Sequence, residues 1–337
     1  MAVPLPAAPR PTSTDPIAVT GVGLALPGVE DVAALPGATR TAVRAAGPVQ
    51  PAARLGRRGL RYLDRTSQLA LCAGQDALRD ATLLSADGEL AVAGESVAVV
   101  ASSNLGSLDT VCQVASTIAE QTTDRVSPMA LPNASSNVIA AVVAMRFGLR
   151  GPNLAFTNGP TSGIDAVFWA ALLVSAGRCA RALVIGAETS NPVVARLLGR
   201  TAGELLDGAV AVVVERAATA DDRAASQLAE LGRYARRPGV AACVDQVLAG
   251  APGLPGIWFA DSRPGGTAAG PVTPRLADHD LTAAFGLASG ALGVLQCAAA
   301  VGWFAAGGAD AALVTAGADT DDAVAGMLLR PAGRGRR

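Results

Sequence analysis

The chain has 337 residues, half of them apolar and 16% charged, with a formal net charge of −1. That balance excludes a protein held to nucleic acid by a basic face, and the apolar content excludes disorder over most of the chain. All 27 basic residues are arginine and His279 is the one histidine, which excludes a Schiff-base or P-loop lysine and any mechanism built on two histidines.

In chain order, residues 1–15 are expected to be a flexible leader, Pro/Ala/Thr-rich and without the charge and apolar pattern of a signal peptide. Ile17–Val22 reads as a buried strand ending in a tight turn at Gly21 and Gly23. Residues 29–60, dense in Pro, Gly and Arg, read as irregular surface. Asp64–Thr82 has helical spacing, with Leu69, Leu71, Cys72 and Leu78 on its apolar side. Ser96–Ala101 is a β-branched strand that stops at Ser102–Ser103–Asn104, and the helix after it places Leu108, Val111 and Cys112 on one face. The longest apolar stretches, Ala166–Ala176 and Ala291–Ala306, are too short to cross a bilayer and belong inside a large soluble protein. The five cysteines, Cys72, Cys112, Cys179, Cys243 and Cys297, are far apart and lack metal-ligand spacing, so they are expected to be buried thiols in a reducing cytoplasm. Asp319, Asp321 and Asp322 lack the spacing of a calcium loop and read as solvated, and His279, between two aspartates, reads as a polar loop residue. The C-terminal arginines, within 330–337, read as a frayed basic tail.

One pattern occurs twice. Gly159–Pro160–Thr161–Ser162–Gly163 leads into an apolar small-residue helix, a Gly turn, the strand Ala182–Leu183–Val184–Ile185 and then Gly186–Ala187–Glu188. Gly286–Leu287–Ala288–Ser289–Gly290 leads through the same series to Ala312–Leu313–Val314–Thr315 and Gly317–Ala318–Asp319. The repeat predicts two similar α/β halves packed about two buried helices, with sheets covered on both faces. The halves are placed at 16–217 and 218–330, followed by the tail at 331–337.

Several stretches resemble the β-ketoacyl synthases of the thiolase superfamily. They are Val19–Thr20–Gly21–Val22–Gly23, the run Asp64–Ala70, Arg125–Val126–Ser127–Pro128 with Leu131–Pro132–Asn133, and Phe147–Gly148–Leu149–Arg150–Gly151–Pro152–Asn153, followed at the family's distance by Ser162–Gly163. The resemblance implies a thiolase-like five-layer αβαβα fold. It also implies a nucleophile elbow at 157–163, and there the family's cysteine is replaced by Pro160, which has neither a nucleophilic atom nor an N–H for an oxyanion hole. The first family histidine falls near Ala260–Asp261–Ser262, the supporting lysine on Thr282, the second histidine on Leu287, and the gating aromatic on Ala318. Ser162 occupies the elbow but belongs to the Ser-Gly packing feature, so no catalytic residue is assigned.

Ketosynthase-like chains without the nucleophile resemble the chain-length factors of type II polyketide systems. The resemblance implies a heterodimer with an active ketosynthase, which would perform the decarboxylative condensation, and an acyl carrier protein served by the complex. Pairing is expected through the strand after Gly151–Pro152. A tunnel for the growing acyl chain is then expected to be lined by Leu108, Val111 and Cys112 and by Met129, Ala130, Leu131, Asn133 and Val138. Arg54, Arg57, Arg58 and Arg61 form the densest basic cluster, with a solvated surface as its ordinary reading. No cofactor, metal, nucleic acid or membrane is expected. Pro160 and the trimmed length suit a highly reducing, polyene-making system better than an aromatic one. Two other readings stand beside this one: a stand-alone acyl-binding scaffold homodimer, and an atypical thiolase-fold acyltransferase or decarboxylase.

Overall fold

Ten strands form one sheet in the order β3-β2-β4-β5-β1-β6-β10-β9-β7-β8 in this computed structural model, which describes residues 15–128, 130–261 and 278–333. The strands are β1 (Ile17–Ala25), β2 (Val97–Ser102), β3 (Asn153–Phe156), β4 (Arg181–Glu188), β5 (Gly208–Arg216), β6 (Ala229–Arg237), β7 (Ile257–Phe259), β8 (Asp278–His279), β9 (Ala312–Ala316) and β10 (Val324–Pro331). The helices are α1 (Arg40–Ala46), α2 (Pro51–Leu55), α3 (Arg65–Asp80), α4 (Leu108–Gln121), α5 (Val138–Phe147), α6 (Ser162–Ser175), α7 (Pro192–Leu198), α8 (Ala217–Asp222), α9 (Val240–Leu248), α10 (Leu281–Phe285) and α11 (Leu292–Ala305). The expected leader, apart from Asp15, and the last four residues of the expected tail lie outside the described residues.

The two sides of the sheet repeat one pairing scheme. β3, β2 and β4 are parallel, and β5 and β1 follow antiparallel. In the same way β8, β7 and β9 are parallel, and β10 and β6 follow antiparallel. β1 and β6 join the halves through Ile17–Val19 and Ala229–Leu231. The fold is the expected α/β arrangement of two similar halves.

Strand alternation sorts the side chains into layers. On β4, Ala182 and Val184 face a central core, and Leu183, Ile185 and Ala187 face an outer one. On β9, Val314 faces the same central core, and Leu313 faces a second outer core. α6 and α11 fill the centre, α3 and α5 cover the first half, and α9 covers the second, which makes five layers, αβαβα. No helix among the described residues is long and apolar enough to cross a membrane.

Two local expectations change. β1 runs on through Gly21 and Gly23 to Ala25 instead of turning. Those glycines serve helix packing: a Cβ at Gly23 would lie 2.0 Å from the Ala73 carbonyl of α3. Residues 29–60, expected to be irregular, contain α1, α2 and a 3₁₀ segment at Val32–Gly37. The α3 helix starts where its chemistry dictates, with the Asp64 carboxylate accepting from Ser67 N–H at 2.7 Å.

Candidate functional site

The strand-to-helix elbow after β3 is one 3₁₀ turn, Gly159–Thr161, running straight into α6. Pro160 sits in the first turn, where a missing N–H leaves no hydrogen bond unmade. Ser162 pins the elbow: its Oγ accepts from Asn158 N–H at 2.8 Å and lies 2.7 Å from Gly159 O and 3.0 Å from Asn104 Oδ1. The second half repeats the device, with a 3₁₀ turn at Ser289–Ala291 before α11. The two helix starts touch directly. A Cβ at Gly293 would stand 2.2 Å from Ile164 N, and one at Gly163 would stand 2.7 Å from Gly293 N.

A cavity of about 390 Å³ opens above this crossing, walled by Asn104, Pro160, Asp261, Leu287, Ser289 and Asp321, among others. Three of the five positions expected to be degenerate, Pro160, Asp261 and Leu287, therefore share one wall. A fourth, Ala318, is buried on the loop beside them. Its N–H donates to Asp321 Oδ2 at 2.7 Å, and the neighbouring Gly317 N–H donates to Asp261 Oδ2 at 3.1 Å. The fifth, Thr282, is apart from the cavity lining in the first turn of α10, donating its N–H and hydroxyl to Asp280 Oδ1 at 2.8 and 2.6 Å. Leu287 is fixed by backbone pairing: its N–H donates to Glu204 O at 2.8 Å, and its carbonyl accepts from Leu206 N–H at 3.1 Å. Among the described residues that wall the cavity, the polar side chains are hydroxyls, Asn104 and carboxylates, with no thiol and no imidazole.

Behind the cavity lining, bonded to the backbone of Asn104 and Leu105, is a residue the sequence reading passed over. Glu188 ends β4 fully buried. Its carboxylate accepts from Asn104 N–H (2.7 Å), Gly290 N–H (3.0 Å), Leu105 N–H (3.2 Å) and Ser103 Oγ–H (3.3 Å). One side chain thus ties the β2–α4 turn of the first half to the elbow of the second. Burial outweighs those hydrogen bonds and pushes its pKa up to about 7. The Gly186–Ala187–Glu188 of the repeat was the signal available for it.

The other candidates fall elsewhere. Leu108 and Cys112 are half-buried and Val111 is exposed on α4, which carries no buried residue. Ala130 is half-buried and Leu131 exposed, while Asn133 Nδ2 donates to Tyr62 O at 2.6 Å. Val138 is buried in the outer core with α3 and is not among the residues lining the cavity. Met129 lies outside the described residues. Cys72, Cys179, Cys243 and Cys297 are buried, and burial raises their thiols to about 11, 11, 12 and 12 respectively. The acidic cluster acts on backbone: Asp319 Oδ1 accepts from Val240 N–H at 2.7 Å, and Asp321 takes Ala318 N–H. No group of three or more His, Cys, Asp or Glu among the described residues could hold a metal ion. His279 is exposed on the two-residue strand β8 and lies 5.9 Å, ring to ring, from Phe259. Within the basic cluster, Arg54 is already committed to Asp76 and to Leu24 O, and Arg61 lies over the Tyr62 ring.

Comparison with known proteins agrees with this architecture. Residues 40–207 match the family profile of the beta-ketoacyl synthase N-terminal domain. A solved structure described as the ishigamide ketosynthase/chain length factor superposes with a TM-score of 0.75 at 26% identity, covering 94% of this chain and 100% of that one. This is a ketosynthase-like protein of the thiolase superfamily. The 3-oxoacyl-[acyl-carrier-protein] synthase 2 of Vibrio harveyi is 28% identical to this ketosynthase-like chain over 137 residues, which is 41% of the chain. The matched part spans about a third of the length of that synthase, 32%. At 15% identity and a TM-score of 0.74, a type II PKS ketosynthase solved with its acyl-carrier protein shares the fold, covering 94% of this chain and 99% of that one.

Proposed function

We propose that the chain is the non-catalytic, chain-length-factor subunit of a type II polyketide ketosynthase, pairing with an active subunit and shaping the acyl tunnel between them. The observation that carries this reading is Pro160 and Leu287 facing one cavity, at the positions where the resemblance calls for the nucleophile and the second histidine. A decarboxylative condensation needs a thiolate to hold the acyl chain and imidazoles to stabilise the enolate, and a pyrrolidine and an isobutyl group supply neither. The ketosynthase/chain length factor relative, similar over nearly the whole chain, supports the same reading. The acyl carrier protein is then a partner of the complex.

In this reading the half-exposed apolar face of α4, with Leu108, Val111 and Cys112, and the adjoining Ala130 segment meet the partner. The small side chain of Ala130 leaves room for a long acyl chain, and a polyene product suits the open tunnel. The test is co-expression with the ketosynthase encoded beside this gene, followed by native mass measurement. A 1:1 complex is expected, and Ala130→Phe should shorten its product while leaving the complex intact. A soluble homodimer that ignores the ketosynthase would refute the proposal and favour an acyl-binding scaffold.

A further inference from the structure

A second cleft, of about 450 Å³, adjoins the cavity just described at Thr157 and lies against the last residues of β3. Its base is Asp165 in the first turn of α6, 4% exposed. Asp165 accepts three hydrogen bonds. Its Oδ2 accepts from Thr161 Oγ–H at 2.8 Å and from Asn158 Nδ2, and its Oδ1 accepts from the Tyr234 hydroxyl at 2.7 Å. Tyr234 is held by stacking on Phe168, with centroids 4.0 Å apart and planes within 10°. Above this network stands Arg236. Its side chain is 45% exposed, and its nearest approach to Asp165 is Nε to Oδ2 at 3.6 Å, an ion pair without a hydrogen bond. The cleft therefore presents the half-solvated guanidinium of Arg236 with its terminal nitrogens uncommitted, beside the Trp169 ring, which is 45% exposed. Uncommitted N–H donors over an acceptor that already takes three hydrogen bonds call for a carboxylate on a short apolar stem.

The surroundings say where that carboxylate comes from. Among the described residues β3 pairs with β2 alone, so its outer edge carries no strand of this chain there. Leu172 and Trp169 on α6 and Met145 on α5, the helices that flank β3, are exposed, and Leu154 and Phe156 of β3 are half-buried. An open strand edge with apolar flanks is a protein-pairing edge. The exposed charges beside it, Arg146 and Arg236, are cationic, and Glu95 is already bonded to Arg150 at 3.0 Å. A second copy of this chain would bring arginine towards arginine, whereas a partner with an acidic residue near its own edge strand completes the cleft.

We infer that the Arg236 cleft is a socket for one aspartate or glutamate of the partner ketosynthase, and that it selects this partner over a second copy of the chain. The inference rests on the pairing proposed above. The chain's lack of lysine makes a direct test available. Arg236→Lys puts the only side-chain amine of this subunit in the cleft, and a zero-length carbodiimide reagent joins amines to carboxylates in contact. Applied to the co-expressed complex, it should yield an isopeptide from position 236 to a single acidic residue of the ketosynthase, located by peptide mass mapping. Arg236→Glu should raise the dissociation constant of the complex at least tenfold and reverse the salt dependence of that difference. If the wild-type chain forms no complex with the ketosynthase, the pairing itself fails. If the complex forms, yet position 236 links only within its own chain and Arg236→Glu dissociates within twofold of wild type, the socket is refuted and the pairing stands.

Discussion

Glu188 collects three backbone N–H groups and a hydroxyl from two crossings of the chain, yet it is buried deeply enough that its proton is held up to about pH 7. Its native pKa lies above the ordinary 4.5 of an unfolded chain, so folding favours the protonated form. The stability this contributes is complete below about 4.5 and is lost as pH rises through about 7, a change of about 3 kcal/mol at most. The melting temperature of wild type relative to Glu188→Gln should therefore fall across that window, and a difference constant with pH would assign the carboxyl no titration there. The four buried thiols give the complementary case. Raised to about 11 or 12, they are un-ionised at neutral pH and shielded from reagents. That Pro160, Asp261, Leu287 and Ala318 fall at or beside one cavity was foreshadowed by short motifs around the elbow and the second helix, and their reading as degenerate catalytic positions belongs to the proposal. Glu188 was not foreshadowed, because a carboxylate at the end of an apolar strand shows its role only when the turns that donate to it are brought together.

The α6–α11 crossing depends on Gly163 and Gly293, one from each helix, where backbone meets backbone. Gly293→Ala adds a methyl with no free volume to take it, because its nearest obstacles are the main chain of Ile164 and Gly163, with the Ile164 side chain beside them. A destabilisation of roughly 2–4 kcal/mol is expected by chemical denaturation, at the upper end of overpacking costs. The α4 helix is the opposite kind of element, amphipathic but without a buried residue. Cys112, half-buried on it, should be the cysteine that an alkylating reagent modifies first, and the partner ketosynthase should slow that reaction at least tenfold. Equal rates with and without partner would remove α4 from the interface. Helical periodicity found α3 and α4 readily. Val138, expected to line the tunnel, is buried in the outer core of this chain, and a run of apolar residues at the start of α5 reads the same whether it lines a tunnel or a core.

At the level of the whole molecule, the repeat in the sequence was the sufficient clue. Two copies of Ser-Gly, buried helix, turn and Ala-Leu-Val strand became two five-strand sets with identical pairing, joined at β1 and β6. The extension of β1 past its glycines was hidden, since those residues break a strand unless a helix presses on them, and α3 is remote in sequence from the strand's first residues. The ladder positions of β1 carry a further consequence, for synthesis on the ribosome. β1 is made first and is apolar along almost its whole length, but its neighbours begin only at Gly208 and Ala229. At 5–20 residues per second, the strand waits roughly ten to forty seconds for its first partner to be translated. During that interval α3 can cover one face of the nine-residue strand, but its other face stays uncovered and its ladder hydrogen bonds unmade, so the protein's yield in a cell depends on chaperones that shield it early.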